Sequence, residues 1–155
     1  MRFDRIADFI VSGRDIAQSA LDIAATLLID TVGVAAGATG LAAGRIARDH
    51  AFAFHGAGAP EHAAPMMFDG RRASIPGAAF AAATQIDNLD AHDGLNQTKG
   101  HIGCAVVPAL FAFAENRSEL SAQDALKVLV VAYEIAARAA FALHTSVSDY
   151  HTSGA

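Results

Sequence analysis

The chain has 155 residues, enough for a single domain, and combines 53% apolar residues with a formal net charge of −5. This mild acidity argues against nucleic-acid binding, which normally requires a basic face. A single cysteine, Cys104, excludes an intrachain disulfide and any multi-cysteine zinc site. Because Cys104 lies in an apolar run, we interpret it as a small buried side chain rather than a nucleophile.

The N-terminal residues and the longest apolar tract both argue against membrane targeting. The first residues carry acids at Asp4 and Asp8, which is untypical of a signal peptide. The tract from Leu21 to Gly44 contains Asp22, Asp30 and several glycines, so we expect a buried helix and its continuation rather than a membrane span. A soluble cytoplasmic protein without membrane association is therefore expected.

Apolar residues recur at spacings of three and four along most of the chain, whereas alternating strand patterns are nearly absent. This periodicity predicts helices, in chain order, over about 3–12, 15–36, 41–54, 76–89, 101–116 and 121–143. Residues 55–72 are rich in Gly and Pro and predict connecting structure, with a short extended piece at 66–68. The predicted fold class is all-α, a multi-helix bundle.

Three local signals refine these helices. Ser74 followed by Pro76 predicts an N-cap with proline in the first turn. The segment from Ser121 to Asp124 resembles a capping box in which Asp replaces Glu. Pro108 predicts a kink, because proline lacks the N–H and its ring disturbs the preceding turn.

The polar connection between the fourth and fifth predicted helices, NLDAHDGLNQTKGH, is the strongest candidate for a functional site. Its acids Asp90 and Asp93 flank His92, and neighbouring carboxylates raise one another's proton affinity, which suits a general base. In the alternative interpretation, the acids only cap and solvate the connection. The spacing favours neither interpretation.

The end of this connection suggests an anion site. His101 is predicted at the start of a helix, where free N–H groups and the helix dipole favour an anion. Lys99 could hold a substrate carboxylate beside it, and Gly100 would allow close approach. An exposed lysine and an ordinary N-terminal histidine are nevertheless the commoner outcome of such spacing.

A second polar segment lies near residue 150. His151 is followed by Thr152 and Ser153, and hydroxyl groups beside a histidine can form a small anion-binding nest. Such a segment is also typical of an ordinary polar connection. The remaining histidines lack comparable neighbours and are interpreted as surface or core residues: His50, His55, His62 and His144.

The connection and the helix after it resemble the signature of the MmgE/PrpD family, which includes 2-methylcitrate dehydratase, cis-aconitate decarboxylase and iminodisuccinate epimerase. Asp90 to Asp93 is similar to the family's Asp-rich turn. His101-Ile102-Gly103 is similar to its His-Pro-Gly motif, and Cys104 to Glu115 to its apolar helix, including Pro108.

Three further segments resemble the family in the same chain order. Leu28 to Gly37 is similar to an early family helix, and Gly70 to Ser74 is similar to a GRRAS segment. Asp149 to Gly154 resembles a Gly-Phe-His-Pro-Thr-Gly element whose histidine belongs to the active site. The resemblance therefore spans nearly the whole chain.

The resemblance implies a helical domain whose pocket accepts a small di- or tricarboxylate. It implies catalytic roles for Asp90, His101 and His151. The residues expected to contact the substrate are Asp93, Lys99, His92, Thr152 and Ser153. The implied reaction is proton abstraction next to a carboxylate, then loss of water, loss of carbon dioxide, or reprotonation on the opposite face. No metal or organic cofactor is implied, and the expected assembly is a homodimer.

The chain departs from the family at three positions and in length. His92 stands where many members have an acid, and Ile102 and Thr152 stand where they have proline. These differences leave the identity of the acid open. Family members are far longer, with a smaller α/β lid domain after the helical domain. Residues 1–155 are therefore expected to be an N-terminal fragment that lacks the lid and has little or no activity alone.

Two other function classes remain open. In a helical HD-type, metal-dependent phosphohydrolase, His92 and Asp93 would form the HD pair, and His101 and His151 would complete the metal shell. In a non-catalytic dimerisation module, the high apolar content would serve association. A dipeptide is a weak motif, so the flanking matches favour the MmgE/PrpD interpretation.

Overall fold

The computed structural model describes residues 3–12 and 16–146. Within them the chain forms six α-helices, two short 3₁₀ helices (Ala38–Gly40 and Pro60–His62) and one small sheet. The α-helices are α1 (Phe3–Ser12), α2 (Gln18–Gly37), α3 (Ala42–Phe54), α4 (Ile75–Asp87), α5 (Gly103–Ala114) and α6 (Ala122–Ser146). The all-α prediction is confirmed, and helix ends fall within three residues of the predicted positions.

Small side chains allow the helices to pack closely. Helix α4 packs against both α3 and α5, while α2 and α5 pack against α6. An alanine-rich cluster that includes Ala51, Ala78 and Ala112 joins α3, α4 and α5. Larger side chains, such as Val107 and Leu129, fill the space between α5 and α6. These contacts fix α4 and α5, the two helices that the polar connection joins.

The region between α3 and α4 contains an antiparallel pair of short strands, β1 (Ala63–Pro65) and β2 (Arg72–Ser74). The prediction of an extended piece at 66–68 is wrong, because these residues begin the turn between the strands. The N–H of Met66 donates to the carbonyl of Arg71 at 2.9 Å. Phe68 and Gly70 have φ angles of 59° and 83°, which reverse the chain.

Both predicted N-caps are present. The hydroxyl of Ser74 accepts a hydrogen bond from the N–H of Gly77 at 3.2 Å at the start of α4. The hydroxyl of Ser121 accepts from the N–H of Asp124 at 3.1 Å and donates to its carboxylate at 2.7 Å. Helix α5 continues through the buried Pro108, and the kink there stays a prediction.

Helix α2 and the following 3₁₀ helix form a 23-residue segment that is long and apolar enough to cross a membrane. The core helix of a soluble protein satisfies the same criterion, and α2 contacts α4, α5 and α6. The expectation that this segment is not a membrane span stays a prediction.

Candidate active site

The connection between α4 and α5, residues 88–102, is held by its own hydrogen bonds. The N–H of Leu95 donates to the carbonyl of Gly100 at 2.8 Å, and the buried hydroxyl of Thr98 donates to the carbonyl of Leu95 at 3.2 Å. Asp90 and Lys99 adopt left-handed backbone conformations, with φ of 53° and 50°. This conformation costs a non-glycine residue about 1 kcal/mol, so local contacts must hold it.

His101 is oriented by a backbone hydrogen bond. Its Nδ1 lies 2.7 Å from the carbonyl oxygen of Asp93. A carbonyl can only accept, so Nδ1 carries the proton and the neutral ring presents an unprotonated Nε2. A carboxylate oxygen of Asp90 lies 3.9 Å from that Nε2, and the His101 side chain is 28% exposed. The ring therefore offers a basic nitrogen to solvent beside a carboxylate that would stabilise the imidazolium.

The Asp93 carboxylate caps the N-terminal end of helix α5. Its carboxylate oxygens accept from the N–H of Gly103 at 3.1 and 3.3 Å. The expectation of free N–H groups at this helix start is therefore wrong for Gly103, because a residue of the chain already occupies its donor. A Cβ at Gly103 would overlap the Asp93 carboxylate and the Tyr133 hydroxyl, so the close approach requires glycine.

Tyr133, on α6, is part of this cluster and was not predicted from the sequence. Burial, and after it the Asp93 carboxylate, raises the pKa of the Tyr133 hydroxyl above its ordinary value. The phenol is therefore protonated at neutral pH. No spacing rule identifies Tyr133, because it occupies one position of a long apolar helix.

His92 is buried in the same cluster. Its side chain has no exposed surface, and its ring centroid lies 4.1 Å from that of His101. Burial, and after it His101, lowers the pKa of His92, so its ring is neutral at physiological pH. Within the described part of the chain neither ring nitrogen has a hydrogen-bond partner. A buried polar group in this state costs about 1–3 kcal/mol.

The thiol of Cys104 is also part of this cluster. It is half-buried and donates to the carbonyl of His101 at 3.1 Å. Burial, together with Asp87 and Asp93, raises the pKa of Cys104 to about 12. The thiol is therefore protonated at neutral pH and is not a nucleophile by itself. Asp87, at the end of α4, was not predicted as a site residue.

The structure brings four of the predicted site residues together: Asp90, His92, Asp93 and His101. Lys99 is exposed in the turn between Asp93 and His101. The other three predicted residues, His151, Thr152 and Ser153, lie outside the described residues. Convergence of His151 with His101 therefore stays a prediction.

Within the described residues, the side chains of the HD pair, His92 and Asp93, contact different partners. The carboxylate of Asp93 bonds to Gly103, whereas a nitrogen of His92 lies 3.6 Å from a carboxylate oxygen of Asp87. The ligand group that includes His92 also contains Asp87 and Cys104 but neither Asp93 nor His101. This arrangement gives no support to a phosphohydrolase site built on His92 and Asp93.

A cleft of about 380 Å³ opens beside Asp93 and Tyr133. Side chains of α2 and α6, including Ile23 and Val130, form its mainly apolar walls, and Glu134 lies at its edge. Its volume falls within the range typical of small-molecule sites. Two members of the polar cluster, Asp93 and Tyr133, therefore border a cleft that is large enough for a small metabolite, whereas His101 is not among its lining residues.

Residues 4–155 match the family model described as the MmgE/PrpD N-terminal domain. The match covers nearly the whole chain and confirms the resemblance that the polar connection and its helix indicate. Comparison with curated proteins and with solved structures yields no match.

Proposed function

This chain belongs to the MmgE/PrpD family, and we propose that it is the N-terminal helical part of a lyase or isomerase acting on a small di- or tricarboxylate. The proposed reaction removes a proton from a carbon next to a carboxylate, as in a dehydratase of the 2-methylcitrate type. Loss of carbon dioxide and reprotonation on the opposite face are the alternative outcomes of the same first step. The N-terminal-domain description of the matched family supports the view that a longer enzyme contains this part.

The geometry of His101 carries the proposal. Its Nδ1–H is fixed by the Asp93 carbonyl at 2.7 Å, so Nε2 is the basic atom. In the proposed step, the substrate C–H proton moves to Nε2, and the electron pair of that bond is delocalised into the adjacent carboxylate. Asp90, 3.9 Å from Nε2, stabilises the imidazolium that forms. The ring of His92 packs against His101 and limits its rotation.

Charge balance decides which further groups the reaction needs. The connection and its flanking helix ends carry Asp87, Asp90 and Asp93 but one cation, Lys99. A substrate with two or three carboxylates requires more positive charge or oriented donors to stabilise the developing anion. We assign Lys99 to one substrate carboxylate and Thr152 and Ser153 to another, and a catalytic role to His151, as the family resemblance implies. The 155-residue chain alone is therefore expected to have little activity.

Replacement of His101 by Gln tests the proposal in the longest polypeptide that the gene encodes. Each member of a panel of di- and tricarboxylates is incubated with the protein in heavy water, and NMR measures the incorporation of deuterium next to the carboxylate. Loss of a general base lowers the rate by about 10²–10⁴-fold. The control is His62→Gln, an exposed histidine of the 3₁₀ helix Pro60–His62, which should leave the rate unchanged. Unaltered exchange in the His101 variant would refute the assigned base.

We also propose that the protein is a homodimer formed by its helical domain, as the family resemblance implies. Large apolar side chains on three helices support association because they are solvent-exposed in the single chain. They are Ile23, Ile29, Phe111, Phe113, Phe141 and Leu143. Sedimentation equilibrium gives the molecular mass directly, and a monomer at micromolar concentration would contradict this assembly.

A further inference from the structure

We propose that Asp87, His92 and Cys104 form a binding site for a divalent transition-metal ion of the zinc class. The site joins the end of α4 to the start of α5; it shares His92, which packs against the proposed base, but uses neither His101 nor Asp90. It does not depend on the proposed function, because its test measures metal binding rather than turnover.

The three side chains have a suitable geometry. The carboxylate, ring-nitrogen and sulfur atoms that they offer all lie within 4.8 Å of one another. Zinc bonds of about 2.0–2.3 Å in a tetrahedral arrangement place ligand atoms about 3.3–3.6 Å apart. The separation between Asp87 Oδ1 and His92 Nε2 is already 3.6 Å. The Asp87 side chain is 63% exposed at a helix end, so a rotamer change can close the remaining gap.

His92 provides the independent evidence for a ligand. Its side chain is wholly buried, and within the described residues neither of its ring nitrogens has a hydrogen bond. Its ring reaches toward Asp87, and the same group of ligand atoms includes the Cys104 sulfur. A metal ion bound to Nε2 would supply the partner that this buried nitrogen lacks.

The ligand set indicates which metal would bind. Imidazole, thiolate and carboxylate together favour Zn²⁺ and its analogue Co²⁺ over Mg²⁺, which prefers oxygen ligands. Three protein ligands leave a fourth position for water, and the exposed side of Asp87 gives solvent access. On binding, the Cys104 sulfur releases its proton to solvent and exchanges its hydrogen bond to the His101 carbonyl for the metal. No electron is transferred.

Cobalt titration of the purified, chelator-treated 155-residue chain tests the site. We expect one equivalent of Co²⁺ to bind, with a thiolate-to-cobalt charge-transfer band in the near-ultraviolet. Cys104→Ser should abolish the band, and Asp87→Asn and His92→Gln should each weaken binding by at least about tenfold. The matched controls, Asp30→Asn and His62→Gln, replace exposed residues outside the ligand group and should bind like the unmodified chain.

Two outcomes of the cobalt titration would overturn the proposal. One is the absence of the charge-transfer band when the unmodified chain is titrated with excess Co²⁺. The other is a band that persists at full affinity in the Asp87 and His92 variants, which would mean that the thiol alone captures the metal. If circular dichroism shows that a variant is unfolded, the unmodified chain still decides the question. Zn²⁺, but not Mg²⁺, should slow alkylation of Cys104, and an unchanged rate would refute the site.

Discussion

Two polar regions of the molecule are built in opposite ways. Beside the small sheet, Asp69 is 9% exposed; its carboxylate accepts hydrogen bonds from Arg71 at 2.5 and 2.7 Å and forms an ion pair with Arg48 at 3.1 Å. A second acid, Asp49, lies 3.0 Å from Arg71. With Arg45, which lies 3.8 Å from Asp49, this ion-pair network contains two acids and three arginines, so each charge has an opposite charge nearby.

The connection between α4 and α5 lacks this balance. Its acids bind a backbone N–H or face histidine rings, and His92 is buried without a hydrogen bond in the described structure. Charges that serve only stability are paired when they are buried. The comparison therefore indicates that the ion-pair network stabilises the fold, and it agrees with the ligand-binding role that we propose for the connection.

The largest stability effect is expected in the ion-pair network. Asp69→Asn would leave Arg48, which is only 11% exposed, without its anionic partner, and loss of one partner of a buried pair costs about 3 kcal/mol. Urea denaturation of the two proteins at pH 7 measures the difference. A loss of unfolding free energy below about 0.5 kcal/mol would show that the ion-pair network does not stabilise the fold.

Acidity provides a second test of the network. The hydrogen bonds from Arg71 are the main reason that the pKa of Asp69 is lowered. The stability it contributes is therefore complete above the unfolded-state pKa of about 3.9 and is lost as the pH falls through the lower folded-state pKa. The free-energy difference between the unmodified protein and Asp69→Asn should be constant from pH 7 to 5 and shrink below about pH 4. A free-energy difference that does not depend on pH would show that protonation of Asp69 is not coupled to unfolding.

An intermediate effect is expected where the connection meets α5. In Gly103→Ala, the new methyl group would displace the Asp93 carboxylate and the Tyr133 hydroxyl, and overpacking of this kind costs about 1–3 kcal/mol. The matched control is Gly33→Ala in α2, where nothing lies within 4 Å of the added Cβ. This control should stabilise the helix by up to about 1 kcal/mol. Equal effects on thermal unfolding in both variants would show that the contact at Gly103 is unimportant.

The smallest change is expected at His92. Replacing this ring with Phe removes two buried nitrogens that have no hydrogen bond in the described structure, and such a replacement is nearly neutral or stabilising, within about 1 kcal/mol. The result for His92→Phe in chelator-treated buffer would thus contrast with that for Asp69→Asn. Destabilisation by more than about 3 kcal/mol would show that His92 contributes as much to stability as Asp69 does.

Local signals in the sequence predicted much of the fold. The caps at Ser74 and Ser121 were predictable because each requires only a hydroxyl and an N–H three residues later. The strand pair was missed because three-residue strands are too short to show alternation. The Asp69-Gly70 dipeptide is typical of a hairpin turn and could have located it.

The candidate site was only partly predictable, for a different reason. Asp90, His92, Asp93 and His101 lie in one short segment, so their proximity follows from chain connectivity. Asp87, Cys104 and Tyr133 join them through the packing of α4, α5 and α6, which sequence spacing does not specify. In the sequence, these three residues also occupy positions that are typical of ordinary helix ends and of the apolar core.

The left-handed backbone at Asp90 has an evolutionary consequence. At a φ of 53°, Asn and Gly fit the main chain as well as Asp does, whereas β-branched residues fit it poorly. Asp, Asn and Gly are therefore the favoured residues at this position, and of these only Asp carries a negative charge. We expect homologues with Asn or Gly here to retain the architecture while losing the carboxylate beside the His101 imidazole.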